Sequence, residues 1–151
     1  MLTSEDKFFL SHFDKKKIVF TNGCFDILHS GHISYLNEAK SLGDILVVAL
    51  NSDQSVKRLK GESRPINNEQ DRKYVLENLK AIDRVFIFNE DTPLNLIKEI
   101  SPQILVKGGD WTPDQIVGSD FVLKNGGEVQ SLTFKNGYST TSTIEKIADQ
   151  S

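Results

Sequence analysis

Two imidazoles, His29 and His32, close the run Thr21-Asn22-Gly23-Cys24-Phe25-Asp26-Ile27-Leu28-His29-Ser30-Gly31-His32. Apolar Ile18, Val19 and Phe20 precede the run, and Ile33, Leu36 and Ala39 follow it at helical spacing. The histidines therefore fall where a helix begins, among backbone N–H groups without internal partners and at the positive end of the helix dipole. Imidazole N–H donors at such a place bind anions, and Gly23 and Gly31 let a ligand approach the main chain closely. A polyphosphate fits this chemistry. Two other readings use the same residues. One is a pair of surface histidines at a helix start. The other is a metal site of Cys24, Asp26, His29 and His32, which needs four ligands to converge from a short segment with no Cys-x-x-Cys pair and only His12 as a further histidine.

Further phosphate-seeking groups recur along the chain. Asn51-Ser52-Asp53 follows the apolar run from Ile45 to Leu50, and Lys107-Gly108-Gly109-Asp110-Trp111 follows Ile104-Leu105-Val106. The cluster Asn136-Gly137-Tyr138-Ser139-Thr140-Thr141-Ser142-Thr143 sets hydroxyl donors, Ser139, Thr140 and Thr141 among them, before a last helix; an ordinary Ser/Thr cap is the alternative. Lys57, Arg58, Lys60, Arg64, Arg72 and Lys73 form a basic constellation. Such runs are usually a solvated face, which is expected of Arg58 and Lys73. Lys57, one helical turn past Asp53, is expected near the site, and Gly61-Glu62-Ser63-Arg64-Pro65 reads as a loop that closes over a ligand. Arg72 is expected to reach the same site from the next helix. Cys24 reads as a small packed residue and Trp111 as core or rim packing. Asp26 is expected to orient a histidine or to meet a second substrate, with helix capping as its plain alternative.

The elements that must position these groups alternate. Apolar runs predict strands near 17–21, 44–50, 83–88, 103–107 and 128–133, and helical periods predict helices near 31–42, 53–59, 68–80, 93–100, 113–124 and 140–149. Gly43 and Asn125-Gly126-Gly127 stop helices, while Thr92-Pro93 and Thr112-Pro113 start them. The pattern predicts a Rossmann-like, doubly wound five-stranded parallel sheet with helices on both faces. In such folds ligands bind beyond the carboxyl ends of the strands where the strand order reverses, and the polar clusters above do follow strands.

Composition narrows the partners. The 151 residues suit one domain, 1–151, with a proper core. A net charge of −3 without a Lys/Arg block excludes a general nucleic-acid or membrane-surface binder. One cysteine and no long apolar run lead to the expectation of a cytoplasmic protein.

The spacing G-x-F-D-x-x-H-x-G-H from Gly23 to His32 resembles the signature of the nucleotidyltransferase superfamily, which includes cytidylyltransferases and several adenylyltransferases. Together with Asn51-Ser-Asp through Lys57-Arg-Leu-Lys-Gly61, Arg64-Pro65, Glu90-Asp-Thr-Pro93, Lys107-Gly-Gly-Asp-Trp111, Asn125-Gly-Gly-Glu128 and Ser139-Thr-Thr141, it is similar to the heptose 1-phosphate adenylyltransferase family over nearly the whole chain. The resemblance implies transfer of AMP from ATP to D-glycero-D-manno-heptose 1-phosphate, giving ADP-heptose and pyrophosphate for lipopolysaccharide core or other surface glycans. In many bacteria that domain is fused behind a sugar kinase; this chain resembles the stand-alone form, which implies a separate kinase partner, and the family implies a homodimer.

The expected roles follow. His29 and His32 donate to the triphosphate and Lys57 neutralises charge at the attacked phosphate. Asn22, Gly23, Cys24, Phe25, Gly31, Lys107, Gly108, Gly109, Asp110, Ser139, Thr140 and Thr141 line the nucleotide. Asp26, Asn51, Asp53, Arg64 and Arg72 serve the sugar phosphate, and Mg2+ arrives on ATP without dedicated protein ligands. A glycerol-3-phosphate type cytidylyltransferase is the alternative, although its R-T-E-G-x-S-T-T pattern meets Phe134-Lys-Asn-Gly-Tyr-Ser-Thr-Thr141 here, without the arginine. A nucleotide-binding module without turnover is a further alternative.

Overall fold

The continuous apolar runs become the centre of a sheet. β2 (Ile45–Asn51) is buried throughout and β1 (Ile18–Gly23) over its first four residues, as strands covered on both faces are. The computed structural model, which describes residues 2–134 and 138–150, adds β3 (Arg84–Phe88), β4 (Ile104–Gly108) and β5 (Glu128–Leu132). All five pair in parallel in the order β3-β2-β1-β4-β5. The helices are α1 (Ser4–Ser11), α2 (Ser30–Ser41), α3 (Asp53–Lys60), α4 (Glu69–Glu77), α5 (Leu94–Ile100), α6 (Ser119–Lys124) and α7 (Thr140–Asp149).

Alternation along the strands supplies two cores. Val19, Leu46, Val48 and Leu50 pack with Tyr35, Leu36 and Ala39 of α2 and Leu76 of α4. Ile18, Phe20, Val47 and Ala49 point the other way, onto Leu96, Ile97 and Ile100 of α5 and Val122 of α6. Each of the Val, Leu, Ile and Phe side chains among them contributes roughly 1.5–3 kcal/mol on full burial. The architecture is the doubly wound one expected. Among the described residues no helix is long and apolar enough to cross a membrane.

Strands β1 to β3 step outward one way and β4 and β5 the other, so the order reverses between β1 and β4. The ladder is short at this seam. β1 pairs with β2 from Ile18↔Ile45 to Gly23↔Leu50, but with β4 only at Val19↔Ile104 and Phe20↔Leu105. Beyond Phe20 the two strands part, which opens the crevice.

Most boundaries lie within two residues of those expected, but two elements differ. The helix expected over 113–124 is broken into a 3-10 turn (Pro113–Gln115) and α6. Between them Ile116 is extended and buried, and Gly118 takes φ +86, where an added Cβ would lie 2.6 Å from Ile97 Cδ1. Helix α1 has no counterpart among the expected helices. Thr3 Oγ1 accepts the Asp6 N–H at 3.1 Å, the Asp6 carboxylate accepts the Thr3 N–H at 3.0 Å, and Arg84 holds Asp6 at 2.8 Å.

Candidate active site

The parted ends of β1 and β4 floor a cavity of about 480 Å³. Asn22 and Gly23 enter it as the last residues of β1, two residues further along the strand than expected, and Lys107 and Gly108 as the last residues of β4. Cys24, Phe25 and Asp26 form the turn that follows β1. Phe25 is a buried aromatic at φ +44, a backbone region that L side chains rarely adopt.

His29 is the N-cap of α2, and its carbonyl accepts the N–H groups of His32 (3.0 Å) and Ile33 (3.3 Å). In return, His32 Nδ1 accepts the His29 backbone N–H at 3.3 Å, which leaves the His32 proton on Nε2. The two rings stack 3.9 Å apart, and both line the cavity. Neither nitrogen of the His29 ring, though buried, has a hydrogen-bond partner among the described residues. Native proteins rarely leave buried polar atoms unpaired, so both ring nitrogens are open to a group that enters the cavity. Gly31 itself is buried beneath the site: an added Cβ would stand 2.9 Å from the His29 ring. Burial lowers the His29 pKa; burial first and neighbouring His29 second lower that of His32 to about 4. Both rings are therefore neutral near pH 7 and act as N–H donors.

The Asp26 side chain is wholly buried and accepts from Arg64 Nε (2.9 Å), the Ile66 N–H (2.8 Å) and the Asn67 N–H (2.9 Å). Burial pushes its carboxyl up, but the donors of Asn67, Ile66 and Arg64 outweigh this, so the pKa lies below the usual carboxylate value. With both carboxylate oxygens engaged in this way, Asp26 faces the 64–67 segment rather than a histidine. The metal reading fails on the same geometry, and among the described residues no three His, Cys, Asp or Glu side chains converge on a point.

Arg72 corrects a further expectation. Its guanidinium is fully buried, donates to the carbonyls of Cys24 (2.8 Å), Asn51 (2.8 Å) and Asn67 (2.9 Å), and pairs with Asp53 at 2.8 Å. It clamps the ends of β1 and β2 together from behind, and neither Arg72 nor Asp53 lines the cavity. Asn51 does, with its Nδ2 donating to Ser55 Oγ at 2.9 Å. Lys57 lies on the exposed face of α3 and away from the cavity; Lys60, three residues on, and Arg64 are the basic side chains that reach it from this side. The helix advances about 100° per residue, so the last turn of α3 faces the crevice where the middle does not.

Beyond β4, Gly109 and exposed Asp110 stand outside the cavity wall. Trp111 is 43 % exposed, donates from Nε1 to the Gly108 carbonyl at 2.8 Å and lies 5.5 Å beneath Lys107 Nζ, a rim position. Burial lowers the Lys107 pKa and raises that of Cys24. At α7, Ser139 caps the helix by accepting the Ser142 N–H (3.0 Å), and Thr140 Oγ1 donates to the Ile27 carbonyl (2.9 Å), tying α7 to the histidine turn. Both residues and Thr141 line the cavity, as does Tyr138, whose ring is 5.9 Å from that of His29. Lys135, Asn136 and Gly137 of the expected cluster lie outside the described residues. Sequence reasoning missed Tyr35, Leu59, Phe134 and the Asp91-Thr92-Pro93 wall. The last had a signal, since it follows the third strand as the other clusters follow theirs.

Comparison with known proteins agrees with this geometry. The cytidylyltransferase-like family matches residues 20–146. The chain is 61% identical over 137 residues to the Bifunctional protein HldE of Marinomonas sp. (strain MWYL1), covering 91% of this chain and 29% of that protein. It thus spans less than a third of the length of that relative. Among solved structures, the lipopolysaccharide core biosynthesis protein from Thermoplasma volcanium GSS1 superimposes with a TM-score of 0.64 at 33% identity, over 82% of this chain and 99% of that one. Pantoate-beta-alanine ligase from Francisella tularensis shares the fold at 18% identity, with a TM-score of 0.61 over 95% of this chain and 74% of that one.

Proposed function

The chain belongs to the cytidylyltransferase-like family, and we propose that it is a nucleotidyltransferase that moves AMP from ATP to D-glycero-D-manno-heptose 1-phosphate. An oxygen of the acceptor's phosphate forms the new bond to the α-phosphorus, the bond from that phosphorus to the bridging oxygen breaks, and pyrophosphate leaves. ADP-heptose is the other product, destined for lipopolysaccharide core or a related surface glycan.

The observation that carries this reading is the unpartnered His29 imidazole, stacked on His32 at the start of α2, in a cavity at the reversal of strand order. High identity to the HldE relative and the chain-wide motif set support the choice of acceptor and nucleotide. His29 and His32 donate to the phosphates, where charge grows on the phosphoryl oxygens as the leaving bond lengthens. The α2 N-terminus adds its unpaired N–H groups, and Thr141 a hydroxyl. The ends of β1 and β4 take the nucleoside side, with Lys107 as the local cation. Positioning and electrostatics suffice, because phosphate is already the nucleophile and Cys24 is kept protonated by burial. Mg2+ would neutralise the phosphates; with no convergent carboxylate set among the described residues, the nucleotide and water would hold it. A sugar kinase activity supplies the acceptor, and the active form is a homodimer.

A pyrophosphate-release assay crossing ATP, CTP, GTP and UTP with heptose 1-phosphate, glycerol 3-phosphate and ethanolamine phosphate tests the proposal. Fast release only with ATP and heptose 1-phosphate is expected. Faster turnover of CTP with glycerol 3-phosphate sinks it, and no turnover with any pair favours a binding module.

A further inference from the structure

Nucleotidyl transfer brings two phosphate-bearing substrates together, and the second phosphate needs a cation of its own beside the one bound at α2. We propose that Arg64 is the receptor for the acceptor's phosphate and that Asp26 is the positioning residue that aims it; this rests on the function proposed above.

The Asp26 side chain is wholly buried, a placement tolerated only when the charge is paired and hydrogen-bonded. It is paired, and in a one-sided manner. It takes the Arg64 guanidinium by Nε alone, at 2.9 Å, while the backbone N–H groups of Ile66 and Asn67 fill its remaining acceptor positions. The Arg64 side chain is 12% exposed and lines the cavity, and among the described residues its Nη groups have no hydrogen-bond or ion-pair partner. A guanidinium fixed at one corner with free Nη donors offers a rigid fork to an oxyanion, and little freedom remains to be lost on binding.

Its place in the fold tells which anion it takes. The nucleotide site lies at the β1–β4 seam, with the histidines and the α2 and α7 starts around the phosphates. Arg64 reaches the cavity from the segment after α3, the helix that follows β2, and β2 and β4 lie on opposite sides of β1; Asn51 at the end of β2 and Lys60 line the same cavity. The phosphate attacking the α-phosphorus must come from this flank if the leaving pyrophosphate occupies the other. Asp26 directly follows Phe25, which takes φ +44 in the turn after β1, and its carboxylate meets the 64–67 segment.

Steady-state kinetics of Arg64→Gln, Arg64→Lys, Asp26→Asn and the Arg64→Gln/Asp26→Asn pair test the assignment. Arg64→Gln should raise KM for the acceptor roughly tenfold to a hundredfold, the worth of charged hydrogen bonds, and leave KM for ATP within about twofold. Arg64→Lys should fall between, since it keeps the charge and loses the fork. Asp26→Asn should act in the same direction, and in the Arg64→Gln background should add less than about threefold, because Asp26 acts through Arg64. A KM for ATP that rises as much as that for the acceptor overturns the assignment, and full multiplication in the double variant overturns the positioning role. A second readout is independent of the sugar: calorimetric titration of inorganic phosphate onto protein saturated with a non-hydrolysable ATP analogue. Phosphate binding lost in Arg64→Gln with analogue affinity intact supports the proposal, even where heptose 1-phosphate is not turned over, a result that would count against the proposed function alone. Phosphate binding unchanged in Arg64→Gln overturns it. If Asp26→Asn fails to bind the analogue, the two Arg64 variants still decide.

Discussion

Because His32 Nδ1 accepts a backbone N–H, the ring can offer only its Nε2–H to the cavity, a donor held in place before any phosphate arrives. Removing a donor aimed at developing charge costs about 2.7–4 kcal/mol, or roughly 10²–10³ in rate, at comparable sites. His32→Ala is expected to lower kcat by that factor with a smaller change in KM for ATP. Retained melting temperature in the same variant separates this from misfolding. The ring also makes stability depend on pH. Its ordinary pKa is 6.5 and burial lowers it to about 4. Between those values the unfolded chain binds more protons than the folded one, so this contribution is lost as pH falls from 6.5 toward 4 and is constant above. Urea melts across that window should show a shallower decline for His32→Asn than for the unaltered protein; an identical slope would mean that the ring is not desolvated. The histidines and the Asn22 to Asp26 turn were legible in sequence because a strand end and a helix start fix them locally. Arg72 and Lys57 were not. Whether an arginine meets a ligand or three main-chain carbonyls depends on what the fold packs around it, and Lys57 and Lys60 differ only in helical phase.

Two glycines show how differently one change acts in two elements. Gly31 sits in the first turn of α2 with ordinary helical backbone, so Gly31→Ala gains helix propensity of about 1 kcal/mol while its Cβ displaces the His29 ring, 2.9 Å away. Near-native stability with a large loss of turnover is expected. Gly118→Ala reverses the pattern. At φ +86 and 2.6 Å from Ile97 Cδ1, the new methyl strains the α6 start and the core, for a loss of more than about 1 kcal/mol, while turnover of the folded fraction is kept. Chemical denaturation and pyrophosphate release on both variants check the contrast. The same glycine explains why one long helix was read over 113–124, since a helical period tolerates a single glycine and only the tertiary contact with α5 shows the break. The central strands were legible because burial on both faces leaves an unbroken apolar run. Helix α1 has no buried residue and little apolar period; it is held by a capping box, the Arg84–Asp6 pair and Arg84 stacked 5.2 Å from the Phe9 ring, none of which periodicity reveals.

For the molecule as a whole, the doubly wound sheet was legible from the alternation of apolar runs and helical periods, and the motif residues gather on loops after strands because the fold brings those loops together. What sequence did not disclose is the seam. A sheet joined at its middle by only two residue pairs behaves as a three-stranded leaf and a two-stranded leaf on a short spine, with the cavity between their free edges. On the proposed function, a nucleotide seated there would bridge the two strand ends. Among Asn22, Gly23, Lys107 and Gly108, the amides that point into the seam rather than to β2 or β5 should therefore exchange quickly in the free protein, unlike Val19 and Phe20, and should slow with nucleotide bound. Equal protection in the free protein would contradict this. Ligand at about a hundred times Kd adds roughly 2.7 kcal/mol to stability by mass action alone. On the proposed function that stabilisation would fall at the spine, with substrate bracing the two leaves against each other and product release freeing them again.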